Sequence, residues 1–220
     1  MERIALLASA YLAPVSYYAK LLAYGRARIE QFDHYVKQTY RNRCTIAAAA
    51  GRLDLTVPIV KPAGEKSLVR DIRISDHGRW RSLHWNALVA AYNHSPFFVY
   101  YADDLRPFYE QHIEFLVDFN EGLCRTLCGL LDLEPVMERT ASYHAAAHED
   151  EDDYRTLIQP KQPAGADTAF SAAPYYQVFE AQNGFLANLS IVDLLFNMGP
   201  ESVLVLQRSV VAPSPAIPSI

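Results

Sequence analysis

The sequence predicts an α/β fold: a mixed sheet with a β-loop-α-β start, a central pair of helices and a C-terminal strand-helix segment. Three observations lead there. Ile4 to Ala13 is an unbroken apolar run, the pattern of a strand covered on both faces. A helix-length segment and a second short strand follow it directly, as in the opening of a parallel α/β unit. From Trp80 the residues Trp80, Leu83, His84, Ala87, Leu88 and Ala91 repeat at helical spacing.

Taken in order, Pro14 ends the first strand, Ser16 caps a helix through "YYAKLLAYG", and Gly25 stops it. "ARIEQF" is the second strand. "RLDLTVPIV" alternates, with Leu53, Leu55, Val57 and Ile59 on one face, and pairs across a long turn with "LVRDIRIS". Pro58 places the first of these at a sheet edge or near its own end. The Trp80 helix stops at Ser95-Pro96. Asp103 or Asp104 caps the next, with Pro107 in its first turns, and a stripe from Leu116 through Phe119, Leu123, Leu127 and Leu130 runs to about Leu133. Residues 1–133 thus form a main α/β domain. Residues 134–174, with "AAAHEDEDD" and four prolines, read as a mobile loop excursion. Residues 175–208 form a strand ("YYQVF") and a helix ("NLSIVDLLFNMGP") packing on the main domain; Ser190 is its N-cap, Asp193 stands three residues on, and Gly199-Pro200 ends it. Residues 209–220 read as a disordered tail.

The net charge of −5 conceals an asymmetry. Residues 1–100 carry 14 Lys/Arg against 7 Asp/Glu, and residues 101–220 carry 6 against 18. A basic front half points to an anionic ligand, and the acidic back half argues against general nucleic-acid binding. Mutual neutralisation of the halves explains the asymmetry equally well. Cys44, Cys124 and Cys128 make an odd, sparse set that fits a reducing compartment and packing. The N-terminal run mimics a signal peptide, but Glu2 breaks the required positive leader and the run is too short for a bilayer. A cytoplasmic protein without a transmembrane segment is expected.

Four segments could carry chemistry. In "HYVKQTYRNRCTI", an extended chain from 37 to 46 would line Lys37, Arg41 and Arg43 along one face, where they could hold a phosphate or carboxylate. Gln38 and Asn42 would orient that group. A solvated basic face is the bland alternative. In "SDHGRWRSLHWNALVAAYNHSPFF", His84 is the first candidate general base and His77 the second, with Asn86 and Asn93 near in sequence. A lone His in an apolar stripe is nevertheless more often a core residue. In "DDYRTLIQPK", Arg155 and Lys161 could close over a ligand. Asn188 and Ser190 sit at a helix start, and Tyr11 and Ser16 flank a strand-to-helix corner, both positions that can meet an anion. No dinucleotide fingerprint, Walker loop, zinc motif or nucleophile elbow is present, so no cofactor and no metal site is expected.

"YLAPVSYYAKL", "KQTYRNRCTI", "LTVPI", "DIRISDHGRWRSLHWNALVAAYNHSPFF" and "YYQVF...GF..NLSIVDLLFNMGP" together resemble the WbqC-like family, in its Bacteroidetes-type form, from about Ile4 to Leu206. The resemblance implies a role in O-antigen or other surface-polysaccharide biosynthesis. It points to a transferase acting on a sugar nucleotide or another phosphorylated activated substrate, including transfer of an amino-acid or acyl group to an amino sugar. The alternative it leaves is a non-catalytic binding or assembly factor of the same pathway. Ser16 stands where many relatives have glycine, which weakens the expectation of a close backbone approach there.

Overall fold

A computed structural model describes residues 3–61, 67–163 and 165–211. The architecture is α/β, with one parallel sheet and one antiparallel pair. The parallel sheet has the order β5-β2-β1-β6, built from β1 (Ile4–Ala8), β2 (Arg26–Glu30), β5 (Val136–Arg139) and β6 (Glu151–Asp153). Leu6 of β1 stands opposite Arg28 of β2 and Asp153 of β6, and Arg28 stands opposite Glu138 of β5. The apolar run becomes the central strand, with Ala5 and Leu7 fully buried. It is shorter than its apolar stretch. Leu12 turns back with φ 38°, and the chain after Ala8 leaves the sheet toward helix α1 (Val15–Tyr24).

Gly25 ends α1 in the left-handed region at φ 63°, and its N–H donates to the Leu21 carbonyl. The N-cap is Pro14 rather than Ser16. The Ser16 N–H is satisfied from elsewhere in the chain, by the side-chain oxygen of Asn188 at 2.9 Å.

The antiparallel pair joins β3 (Arg43–Ala48) to β4 (Gly51–Thr56). This corrects the expected partner of "RLDLTVPIV": its main partner is the segment just before it. Only a short bridge, Ile59 to Ile74, connects it to "LVRDIRIS", whose Val69–Asp71 is a 3-10 turn. The opening stretch is corrected too. Residues 37–42 form turns, and only from Arg43 does the chain become extended. Gln38 takes φ 59°, which breaks the alternation that would align the three cations.

The helices are α2 (Trp80–Tyr92), α3 (Phe98–Leu105), α4 (Pro107–Glu110), α5 (Leu116–Leu130), α6 (Glu180–Asn183), α7 (Ile191–Met198) and α8 (Ser202–Ser209). Segment 134–174 contributes two strands to the sheet, β5 and β6, between irregular stretches. "YYQVF" is irregular rather than a strand: Gln177 hydrogen-bonds both ways with the Leu186 backbone, closing a local loop instead of a ladder. Ser190 precedes α7 without capping it, because its hydroxyl donates to the Leu12 carbonyl at 2.7 Å. Of the expected tail, residues 209–211 are held: Val210 pairs with Phe170, and Ser209 accepts the Ser171 N–H through its carbonyl. Residues 212–220 lie outside the described residues.

One buried carboxylate organises the packing of α7. Asp193 accepts hydrogen bonds from the Tyr92 and Tyr175 hydroxyls and the Gln177 amide, all within 3.0 Å. Tyr92 in turn accepts the Ala47 N–H, so α2, α7 and the β3–β4 hairpin meet at this point.

Candidate functional site

In an open parallel sheet, ligands sit beyond the carboxyl ends of the strands, where the strand order reverses. Here the chain moves outward from β1 to β2 and β5, then returns to the other side of β1 with β6. The reversal therefore flanks β1. Beyond it lie Ser9 and Ala10 from β1, and Tyr154 and Arg155 from β6. Together with Tyr17, Thr39, Tyr40, Arg41, Ile158 and Gln159 they border a cavity of about 10 Å³. Tyr40, Ile158 and Gln159 also border a cleft of about 750 Å³, whose walls include Ser16, Arg52, Asp54, Asp167 and Asn188.

Two of the predicted cations come together at the small cavity. Arg41, 3% exposed, pairs with Asp33 at 2.6 Å. Burial draws its pKa below the ordinary guanidinium value, against the pull of Asp33. Its Nε has no hydrogen-bond partner within the protein. Arg155 is also buried, and it is fully committed: to Asp153 at 2.6 Å, to Glu30 at 3.4 Å, and to the carbonyls of His144 and Ala145. Its hydrogen bonds to Asp153 hold its pKa up. Glu30 is fixed in turn by the Phe32 N–H and the Thr140 hydroxyl.

Ser16 and Asn188 also meet, at the cleft wall, but through the hydrogen bond that caps α1. The main-chain donor expected to greet an anion is thus already used. Lys161 is exposed and does not border the cleft, although its neighbours Pro160 and Gln162 do. Lys37 and Gln38 are exposed in the turn. Arg43 pairs with Asp54 at 3.4 Å, and Asn42 is buried, donating to the Val57 carbonyl.

The second predicted cluster lies in the core. His84 is 6% exposed, and its Nδ1 is 2.9 Å from the Tyr11 hydroxyl, which meets the Tyr109 hydroxyl at 2.9 Å. The ring also hydrogen-bonds the Thr56 backbone, and Trp80 stands edge-on to it. Burial lowers the His84 pKa to about 4, outweighing the Thr56 bond. His84 and Tyr11 are thereby engaged with one another, and neither borders the small cavity or the 750 Å³ cleft. His77 is exposed in a 3-10 turn, and Asp76 beside it pairs with Arg81 and His112 instead. Asn86 and Asn93 are exposed on and just after α2, turned from His84. Ser190 is spent on Leu12.

The WbqC-like protein family matches residues 9–173. That is most of the chain. The chain belongs to the WbqC-like protein family. The match takes in Ser9 just beyond β1, Arg41, β6 and Arg155, so every wall of the small cavity except Leu7 and Ala8 falls within it. The C-terminal "YYQVF" segment and α7 lie beyond it. Over 228 residues this WbqC-like chain is 28% identical to the uncharacterized protein Rv1507c of Mycobacterium tuberculosis (strain ATCC 25618 / H37Rv), covering 92% of this chain and 96% of that one. No solved structure matches it.

Several site residues escaped the sequence reading. Ser9 sits inside an apolar run, and Asn120 inside an amphipathic helix. Lys20 is 2% exposed, its ammonium 2.9 Å from Asp167 and 4.4 Å from the centre of the Tyr154 ring. Arg52 borders the cleft, holds the Ala187 carbonyl, and has no carboxylate within ion-pair distance among the described residues. Among the described residues, no group of three or more His, Cys, Asp or Glu is arranged to hold a metal, and no helix is long and apolar enough to cross a membrane.

Proposed function

We propose that this WbqC-like chain binds a nucleotide sugar or another phosphorylated activated substrate in the 750 Å³ cleft, and acts as a transferase in surface-polysaccharide biosynthesis. The observation carrying this reading is the position of the cleft. It lies beside the small cavity at the carboxyl edge of the parallel sheet, with which it shares Tyr40, Ile158 and Gln159, and α/β proteins collect ligands at such an edge. Its volume suits a ligand of that size. Arg52 is the cation among its wall residues, and it is held by the Ala187 carbonyl rather than by a carboxylate, while the nearby Arg43, Arg155 and Lys20 are already paired. The local charge is otherwise balanced, so recognition would rest on polar groups as much as on net charge.

Calorimetric titration of the protein with UDP-glucose, UDP-N-acetylglucosamine and GDP-mannose tests this. One of them should bind, and Arg52→Ala should weaken that binding about tenfold, the value of a charge-assisted hydrogen bond. Arg52 is exposed, so the fold should survive the change. Absence of binding by all three, or an unchanged affinity in the variant, overturns the reading.

A second reading, a binding or assembly factor without turnover, is favoured by one observation. His84, the expected base, is locked into the core with Tyr11 and Thr56. Binding without any consumption of donor in the presence of amino-sugar acceptors would select it.

A further inference from the structure

Three buried side chains converge beyond the end of β1. Ser9, Arg41 and Asn120 are 3%, 3% and 2% exposed, and they come from the β1 edge, the 37–42 turn and α5. Asn120 uses both amide hydrogens here: one goes to the Ser9 hydroxyl oxygen at 2.9 Å, the other to the Arg41 carbonyl at 2.8 Å. What they leave unused is informative. The Arg41 Nε and the Asn120 side-chain oxygen have no partner, and Ser9 receives a hydrogen bond but donates none. Buried polar groups without partners are rare, and each costs about 1–3 kcal/mol. The Arg41 Nε–H and the Ser9 hydroxyl, two unused donors bordering one cavity, call for an acceptor.

The space defines its size. Ser9 borders two cavities, one of about 10 Å³ that also touches Arg41 and one of about 20 Å³ that also touches Asn120. Each admits a single water-sized group. Neither a whole phosphate nor a whole carboxylate fits, so an occupant reaches in with a single oxygen. The charge balance argues against phosphate. The two guanidiniums at the small cavity, Arg41 and Arg155, already face Asp33, Asp153 and Glu30, so no surplus positive charge remains for a dianion. Two hydrogen-bond donors and no excess charge suit one acceptor oxygen of a neutral or singly charged group.

We propose that Ser9 and Arg41 seat a carbonyl or carboxylate oxygen of the ligand at the strand reversal, with its phosphate lying elsewhere in the cleft. The seat deepens the proposed function only in assuming that the rest of the ligand occupies the adjoining cleft, with which it shares Tyr40, Ile158 and Gln159 as walls. Arg41 is therefore the recogniser of an acyl or carboxyl oxygen, and the phosphate-binding role predicted for it from the sequence moves to Arg52.

The Nε–H of arginine is directly visible by nitrogen-proton correlation NMR, and Arg41→Lys identifies its signal by removing it. Sodium acetate and glycine should shift the Arg41 signal saturably, and inorganic phosphate should not. Ser9→Ala should weaken the acetate response at least about threefold, the effect of losing one modest hydrogen bond, read at a temperature where the variant, which also takes the acceptor from the Asn120 amide, stays folded. No saturable response to either carboxylate, a stronger response to phosphate, or a Ser9→Ala response equal to wild type overturns the seat; the first would mean that only water fills it. The two proposals fail separately. A nucleotide sugar that binds without moving the Arg41 signal removes the seat and leaves the cleft. An acetate response without nucleotide-sugar binding leaves the seat and removes the cleft reading.

Discussion

His84 illustrates how one residue can be read correctly in place and differently in role. The helical stripe put it on the buried face of α2, and it is there. Its chemistry follows from that burial. With a pKa drawn down to about 4 from an ordinary 6.5, it is neutral in the folded chain where the unfolded chain would protonate it. The unfolded state thus binds the extra proton between about pH 6.5 and 4. His84 contributes its full stability above pH 6.5 and loses it as pH falls through 4, about 3 kcal/mol in all. Urea unfolding at pH 7, 5.5 and 4 should show this loss, and His84→Gln should show a flatter profile over the same window. Parallel profiles for the two proteins would refute the assignment. Arg41 was legible for a different reason: an arginine in a polar run of an acidic protein stands out. Its partners were not, because Ser9 and Asn120 lie in segments whose pattern reports only strand and helix. Their meeting depends on tertiary contacts at long range, at 111 residues for the Ser9–Asn120 bond.

At the scale of elements, the glycines that stop helices were the most readable, while the N-cap readings of Ser16 and Ser190 failed because Pro14 precedes α1 and the Ser190 hydroxyl goes to Leu12. Gly25 and Gly199 both end helices with positive φ, as expected of glycine. Strands β5 and β6 were not readable. "VMER" and "EDD" are short and polar, and they belong to the sheet because β2 and β1 offer parallel edges, not because of their own pattern. The same reasoning covers 37–42, where alternation existed on paper but Gln38 turned the backbone left-handed. Gly199 permits a quantitative test. Its φ is 53°, and an added Cβ would stand 2.5 Å from the Phe97 ring, whose backbone N–H is itself bound to Phe196 at 3.0 Å. Gly199→Ala should therefore cost about 2–4 kcal/mol, combining left-handed strain with overpacking. Phe97→Ala combined with it should recover part of that relative to the sum of the single changes. Strict additivity in denaturant unfolding would show that the clash with Phe97 is not the cause.

For the whole molecule, the asymmetry of charge between the two halves has a structural counterpart. Arg3 pairs with Asp152, Lys20 with Asp167 and Arg28 with Glu151, each a front-half cation with a back-half carboxylate, while Arg155 reaches back to Glu30. Mutual neutralisation therefore accounts for much of the imbalance that first suggested an anionic ligand. Arg41 and Arg43 pair within the front half. The Lys20–Asp167 pair is the most consequential of these, since it joins α1 to the cleft wall across the molecule. Its two ends are not equivalent. The ammonium is 2% exposed, and the carboxylate, at 12%, borders an open cleft. Removing the carboxylate strands a buried cation against the Tyr154 ring, at about 3–5 kcal/mol. Removing the cation leaves a carboxylate that borders the cleft and still accepts the Ala169 N–H on Oδ1. Asp167→Ala should thus be the least stable variant in urea unfolding. Lys20→Met, with its similar apolar stem, should lie within about 1 kcal/mol of wild type. The double variant should be clearly more stable than Asp167→Ala alone, because the stranded charge is gone. If Asp167→Ala unfolds at the same urea concentration as Lys20→Met, the ammonium has found another partner, and the link from α1 to the cleft wall is not made by this pair.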